Sequence, residues 1–367
     1  VETGARPAVT LADALARRQD NFLLLRWLAA SLVIYGHGPA LSGGSGWPDL
    51  FLWLGWGDYS GNLAVDVFFV ISGYMIAGSY LRRAHLGDFL WARVLRIYPA
   101  FIVCLLLCAF VLGTAFTVMP WKAYLAHHDV IHYVSKNIEL GKGLAWYLPG
   151  VFADNPLPGV INGSIWTLPA EVRMYLWVGA IGLLGILSRR WLCNLVLAAL
   201  FAWGLYDSAR IPLLPLDSFV HLAAYFALGA FCFVNRHWLR FGWRWVIGFG
   251  LLAWALHATA FYPFAFGLAL TSFVFAFAYA TPWYGFNRLG DYSYGLYLWG
   301  YPAQQVVAHI APGLAPVVNA LLAWCMAMLA AVVSWHAIER PAMALKSVPA
   351  ALYARVKLRW VRARGAA

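Results

Sequence analysis

Ten apolar stretches, most of them long enough to cross a bilayer as a helix, divide this sequence from end to end. They lie at about 22–40, 62–81, 97–119, 165–187, 191–206, 218–234, 243–258, 264–281, 290–310 and 315–337. A water-soluble fold has no surface to build from such runs. Of 367 residues, 63% are hydrophobic and 11% charged, with mean hydropathy +0.69, a balance that belongs to polytopic membrane proteins. Backbone polar groups in lipid must be satisfied within the segment, so each run is expected to be helical. The fold class expected is therefore an all-α polytopic membrane protein with about ten transmembrane helices.

The basic residues set the expected orientation. With both termini cytoplasmic, twenty of the 26 lysines and arginines fall on inside segments, and the outside loops keep Lys122, Lys136, Lys142 and Arg210. Both termini cytoplasmic, and an even number of spans, follow. The net charge of +11 sits between apolar runs, which argues against nucleic acid and for contact with membrane lipids. Residues 1–21 read as a cytoplasmic N-terminal segment, 22–341 as the transmembrane domain and 342–367 as a basic amphipathic tail on the inner leaflet. Arg26 interrupts the first run, which is expected to be a retained span and not a cleavable signal. Cys104, Cys108, Cys193, Cys232 and Cys325 show neither metal-ligand nor redox spacing and read as small buried hydrophobes. No metal is expected. Two outside loops, about 41–61 and 120–164, are long enough to carry function.

Ionisable residues inside spans are costly, so the few present are candidates for chemistry. Arg26 and His37 are eleven positions apart, almost three helical turns, and share one face about 16 Å apart along the axis. A cation near one surface with an imidazole deep beyond it suits an extended ligand with an anionic head and a reactive tail, the shape of the pantetheine arm of coenzyme A. Asp66, Glu171 and Arg173 complete the set, and His37, Asp66 and Glu171 are expected to converge in the outer half. Glu171 is expected to orient His37 as a base. In WARVLRIYP, Arg93 and Arg96 stand at i and i+3, where two guanidinium groups match phosphate oxygens, with Pro99 in a first helical turn. Singly, each has a blander reading: His37 snorkelling to the interface, Glu171 paired with Arg173, the arginines serving only as topogenic charge.

The ordered array NFLLLRWLAASLVIYGH, NLAVDVFFVISGYMI, ARVLRIYPA, SIWTLPAEVRMYL, LGDYSYGLYLWGYPA and AIERPA resembles the membrane-bound acyltransferase 3 family across nearly the whole chain. The family's basic residue and His fall on Arg26 and His37, its Arg-x-x-Arg on Arg93 and Arg96, its glutamate on Glu171, and its FFVxSGY stretch on Phe68 to Tyr74. The resemblance implies transfer of an acyl group, most often acetyl from acetyl-CoA, to a hydroxyl of an extracytoplasmic or lipid-linked glycan, at the bacterial inner membrane. Asp66, Ser72, Trp166 and Arg173 are expected near the site as substrate-contacting or structural residues. Gly300 stands where many relatives have His. The chain resembles the standalone branch, which includes enzymes acetylating mannose in exopolysaccharides of the xanthan type.

On this reading coenzyme A phosphates bind Arg93, Arg96 and Arg26, and His37 deprotonates the acceptor hydroxyl or itself takes the acyl group. Two other classes compete: a proton-coupled transporter or flippase of a glycan or lipid intermediate, and a structural scaffold. No internal repeat supports a transporter, and a scaffold leaves the intramembrane acids without a reason.

Overall fold

Each of the ten apolar runs forms a helix in the structure, a computed structural model that describes residues 9–43, 49–82, 85–141, 143–206 and 217–348. We number them α1 Phe22–Ser42, α2 Ser60–Leu81, α3 Leu86–Phe116, α4 Leu168–Leu183, α5 Arg190–Tyr206, α6 Asp217–Val234, α7 Trp243–Ala255, α8 Tyr262–Ala280, α9 Ser293–Ile310 and α10 Pro316–Ser334. Four helical stretches, Ser60–Leu81, Leu86–Phe116, Tyr262–Ala280 and Pro316–Ser347, are each long and apolar enough to cross a membrane.

The packing is that of helices in lipid. On α10 the side chains turned inward are small, with Ala323, Ala327 and Ala331 at 0% exposure, while Leu321, Leu329 and Val333 are 60–72% exposed. Large apolar groups outside and small ones inside let neighbouring backbones approach and leave oil-like surface for lipid.

Two pairs of helices run side by side in the same direction. On α1 and α9, Arg26 meets Asp291, Gly300 faces Ile34, and His37 meets Tyr301. On α2 and α6, Asp66 meets His221, Gly73 faces the Phe226 carbonyl, and Gly78 faces Phe233. Gly73 and Gly229 form the close crossing of the second pair. A Cβ on Gly73 would run into the Phe226 carbonyl oxygen, and one on Gly229 into that of Val70. Gly73→Leu is therefore expected to destabilise the protein by about 1–3 kcal/mol or more, seen as a lower unfolding temperature in detergent; an unchanged midpoint would refute the crossing.

The boundaries differ from the sequence reading chiefly at α3. It begins at Leu86, so Arg93, Arg96 and Pro99 lie inside a continuous helix and Pro99 is not in a first turn. A proline inside such a helix is tolerated where neighbouring elements shelter the freed backbone. The tail from residue 349, and Lys142 and Arg210 of the outside loops, lie outside the described residues. Cys104, Cys108, Cys193 and Cys232 are buried, but Cys325 is exposed on the outer face of α10.

Residues 9–21, before α1, are folded. Thr10 and Asp13 form a capping box on the short helix Leu11–Ala16, whose Leu11 and Ala12 amides donate to the carbonyls of Leu239 and Arg236. Asn21 then fixes the height of α1: its side-chain amide donates to the Thr281 carbonyl at 2.7 Å. Residues 120–141 and 143–164 of the second long connection are folded as well. It carries the helix His128–Ile138 and is stitched to α9, where Gln305 donates to the carbonyls of Leu157 and Val160 and Asn162 to that of Leu298.

Candidate active site

Arg26, Arg93, Arg96, Ser72 and Glu171, spread over four helices in sequence, line one cavity of about 280 Å³. Asp291, Tyr294 and Tyr297 of the α9 edge join them, as do Met343 and Lys346 just beyond α10. Four cations face two carboxylates in this lining, so the space favours an anionic occupant. From α2 the lining runs from Val65 to Ile76, eleven steps along the helix, or about 16 Å.

Asp291 is the hub of the cationic end. Its Oδ2 accepts from Arg26 Nη1 at 2.8 Å and from Arg96 Nη2 at 2.7 Å, while Oδ1 accepts from Ser293 Oγ at 2.5 Å. Glu339 supplies a second anion, 3.4 Å from Arg96 Nη1. A π-helical turn over Trp335–Glu339 carries it inward, where it is 2% exposed and accepts from Ser334 Oγ at 2.9 Å. The guanidinium of Arg96 also lies 5.4 Å over the Tyr294 ring. Arg93 sits between the rings of Phe89 and Tyr175, 5.8 and 5.7 Å from their centroids, with Nη2 3.5 Å from Ser79 Oγ. These contacts hold the planar groups in fixed orientation, as recognition of phosphate or carboxylate requires.

Glu171 stands in the first turn of α4, where the helix dipole favours an acid and Pro169 suits the start. It accepts a hydrogen bond from the hydroxyl of Tyr175, one turn on. The expected pairing with His37 is not formed. Nor does Glu171 pair with Arg173, which donates to the Gly141 carbonyl at 3.2 Å and lies 5.1 Å over the Phe219 ring.

His37 lies inside the bundle and not against lipid, with its ring edge-on to Tyr301 at 5.3 Å. Its Nδ1 is buried without a hydrogen-bond partner, a state that in native proteins calls for a reason. His37 is outside the lining of the cationic cavity, which ends at Thr167 and Tyr297. There the Tyr297 hydroxyl donates to the Ser164 carbonyl at 2.5 Å, lies 2.7 Å from Thr167 Oγ1, and the ring packs against Phe68. Tyr301 is one turn of α9 beyond Tyr297, so this barrier separates the cavity from the imidazole by about one turn, roughly 6 Å. Gly300 leaves no room for a side chain: a Cβ would lie 2.6 Å from Ile34 Cγ1.

The three groups expected to converge thus occupy three places. Asp66 pairs with His221 Nε2 at 2.9 Å in a separate pocket of about 160 Å³ that Trp166 also lines. The reason is local: each acid meets its nearest donor, Glu171 along its own helix and Asp66 across the α2–α6 packing. Sequence reasoning overlooked His221, Asp291 and Glu339. The last two stood in the motifs LGDYSYG and AIERPA, and an acid beside an apolar run with unmatched arginines elsewhere was the available signal.

The family described as an acyltransferase domain, acyltransferase 3, matches residues 20–339, a range that includes Arg26, His37, Arg93, Arg96, Glu171, Asp291 and Glu339. Among similar proteins, an O-acetyl transferase of Shigella phage Sf6 is 27% identical over 343 residues, covering 88% of this chain and 96% of the phage protein. Nodulation protein 10 of Rhizobium leguminosarum bv. viciae is 26% identical over 371 residues, covering 90% of this chain and 94% of that protein. No solved structure matches the chain. The match across nearly all of the helical bundle makes this integral membrane protein a member of the acyltransferase 3 family.

Proposed function

We propose that the protein is an O-acetyltransferase that moves an acetyl group from acetyl-CoA to a hydroxyl of an extracytoplasmic or lipid-linked glycan, in a bacterial inner membrane. The observation that carries this reading is the cationic cavity, which Arg26, Arg93 and Arg96 line together. The likeness to an O-acetyl transferase supports the acyl group and the oxygen acceptor. The cavity end at Lys346 faces the cytoplasm, the phosphates of the donor lie against the arginines, and the pantetheine arm runs toward Tyr297. Two helices sharing direction, α1 with α9, place His37 one turn beyond that barrier, where its unpartnered Nδ1 serves as base toward the acceptor hydroxyl once the barrier has parted. Glu171, bonded to Tyr175, belongs to the donor cavity and positions the arm or its thioester.

Arg93→Ala is expected to raise the half-saturating acetyl-CoA concentration about tenfold, the worth of one hydrogen bond to a charged group. Transfer of label from [14C]acetyl-CoA by the reconstituted protein measures it; an unchanged donor dependence would return Arg93 to a topogenic role. The same vesicles test the transporter reading, because proton movement without acetyl transfer would replace the enzyme assignment.

A further inference from the structure

A second polar chamber lies against the first and has the opposite character. Asp58, Asn62 and Asp66 from the start of α2, Trp166 before α4, and Ser218 and His221 at the start of α6 surround about 160 Å³. Val65 lines both chambers, and Trp166 borders this one while the adjacent Thr167 borders the other. Asp66 is 5% exposed at its side chain and His221 is 50% exposed, so the pair has a fixed root and an open tip. With Nε2 of His221 committed to Asp66, the carboxylate selects the tautomer protonated there, and Nδ1 offers a lone pair. Asp58 Oδ1 accepts from Asn62 Nδ2 and from the Tyr59 amide, each at 2.8 Å, which anchors the second carboxylate. The ring of His221 is itself held by Tyr225, edge-on at 5.0 Å.

We propose that this pocket is the subsite for a neutral sugar ring of the acceptor, held by Asp58, Asp66 and His221 as hydroxyl acceptors and by the face of Trp166. The proposal rests on the acyl-transfer reading above and adds the chemistry of its acceptor. Two carboxylates and an imidazole lone pair accept hydrogen bonds, so the site takes hydroxyl donors and repels phosphate or a uronic acid. An indole beside hydroxyl acceptors suits the apolar face of a pyranose. The donor chamber, rich in guanidinium groups, has the reverse preference. The two substrates are thereby sorted by charge, with Val65 shared by the two chambers and Trp166 and Thr167 on either side of their border.

The test uses full-length purified protein, [14C]acetyl-CoA, and membranes of the source organism prepared after deletion of its own gene, which supply the natural acceptor. Trp166→Ala and His221→Ala, on different elements, are each expected to raise the half-saturating amount of membrane about tenfold and to leave the half-saturating acetyl-CoA within about twofold of wild type. Unaltered membrane dependence in both variants, or an equal rise for both substrates, would overturn the subsite while wild-type transfer stands. A wild-type protein that transfers no label would overturn the acyl-transfer reading itself, and the subsite with it.

Discussion

Replacing His37 by alanine is expected to lower acetyl transfer about 10²–10⁴-fold, the usual contribution of a positioned base, while acetyl-CoA binding stays at its wild-type level. The separation of effects follows from geometry: the imidazole lies against Tyr301 outside the cationic cavity, so its loss removes no donor contact. Single-turnover transfer of label, with donor binding measured in parallel on the same preparation, distinguishes the outcomes. Near-normal transfer would remove His37 from the reaction and leave its unpartnered Nδ1 without a chemical role. Label retained on wild-type protein but absent from the variant, with donor alone, would favour an acyl-enzyme route over direct attack.

The second large effect is expected at Asp291. One carboxylate oxygen holds both Arg26 and Arg96, each side chain no more than 21% exposed. Removing the acid by Asp291→Ala leaves two guanidinium groups confined with Glu339 as the remaining close anion to Arg96. Breaking a buried pair in this way costs about 3–5 kcal/mol, so the unfolding temperature in detergent should fall well below wild type. Acetyl-CoA, which would bring phosphate to the same arginines, should recover part of the loss. An unchanged midpoint, with or without donor, would show that the acid is not the hub of this end.

Most of the architecture was legible because lipid leaves a chain few choices. Apolar runs separated by arginines had to be helices, and each of the ten runs that the hydropathy marked is helical, four of the helical stretches being long and apolar enough to cross a membrane. The Arg-x-x-Arg spacing placed Arg93 and Arg96 in one cavity because i and i+3 share a face on any helix. The Arg26–His37 spacing likewise put both residues against α9, since eleven steps return to the same side. What the sequence could not yield was which helices are neighbours. Depth alone groups Glu171 and Asp66 with His37, and only Glu171 is read as its partner, yet lateral packing gives Asp66 to His221 on α6, and a residue four positions on gives Glu171 to Tyr175. The hub acid escaped notice for a related reason: Asp291 stands at a helix edge, 265 positions from Arg26, and only the folded bundle brings such distant residues together.

The aromatic barrier at Tyr297 bears on how a cell could live with such a protein. A bilayer that stores a voltage cannot hold a standing water-filled bore wide enough for a nucleotide-bearing cofactor, since each charge leaking through would dissipate about 2.3 kcal/mol per 100 mV. Phe68, Thr167 and the Ser164 carbonyl close around Tyr297 and make the cleft a blind one at rest. Under the proposed reaction the same contacts that stop the thioester short of the imidazole act as an electrical insulator, and reactivity and membrane energisation are traded against each other at a single phenol.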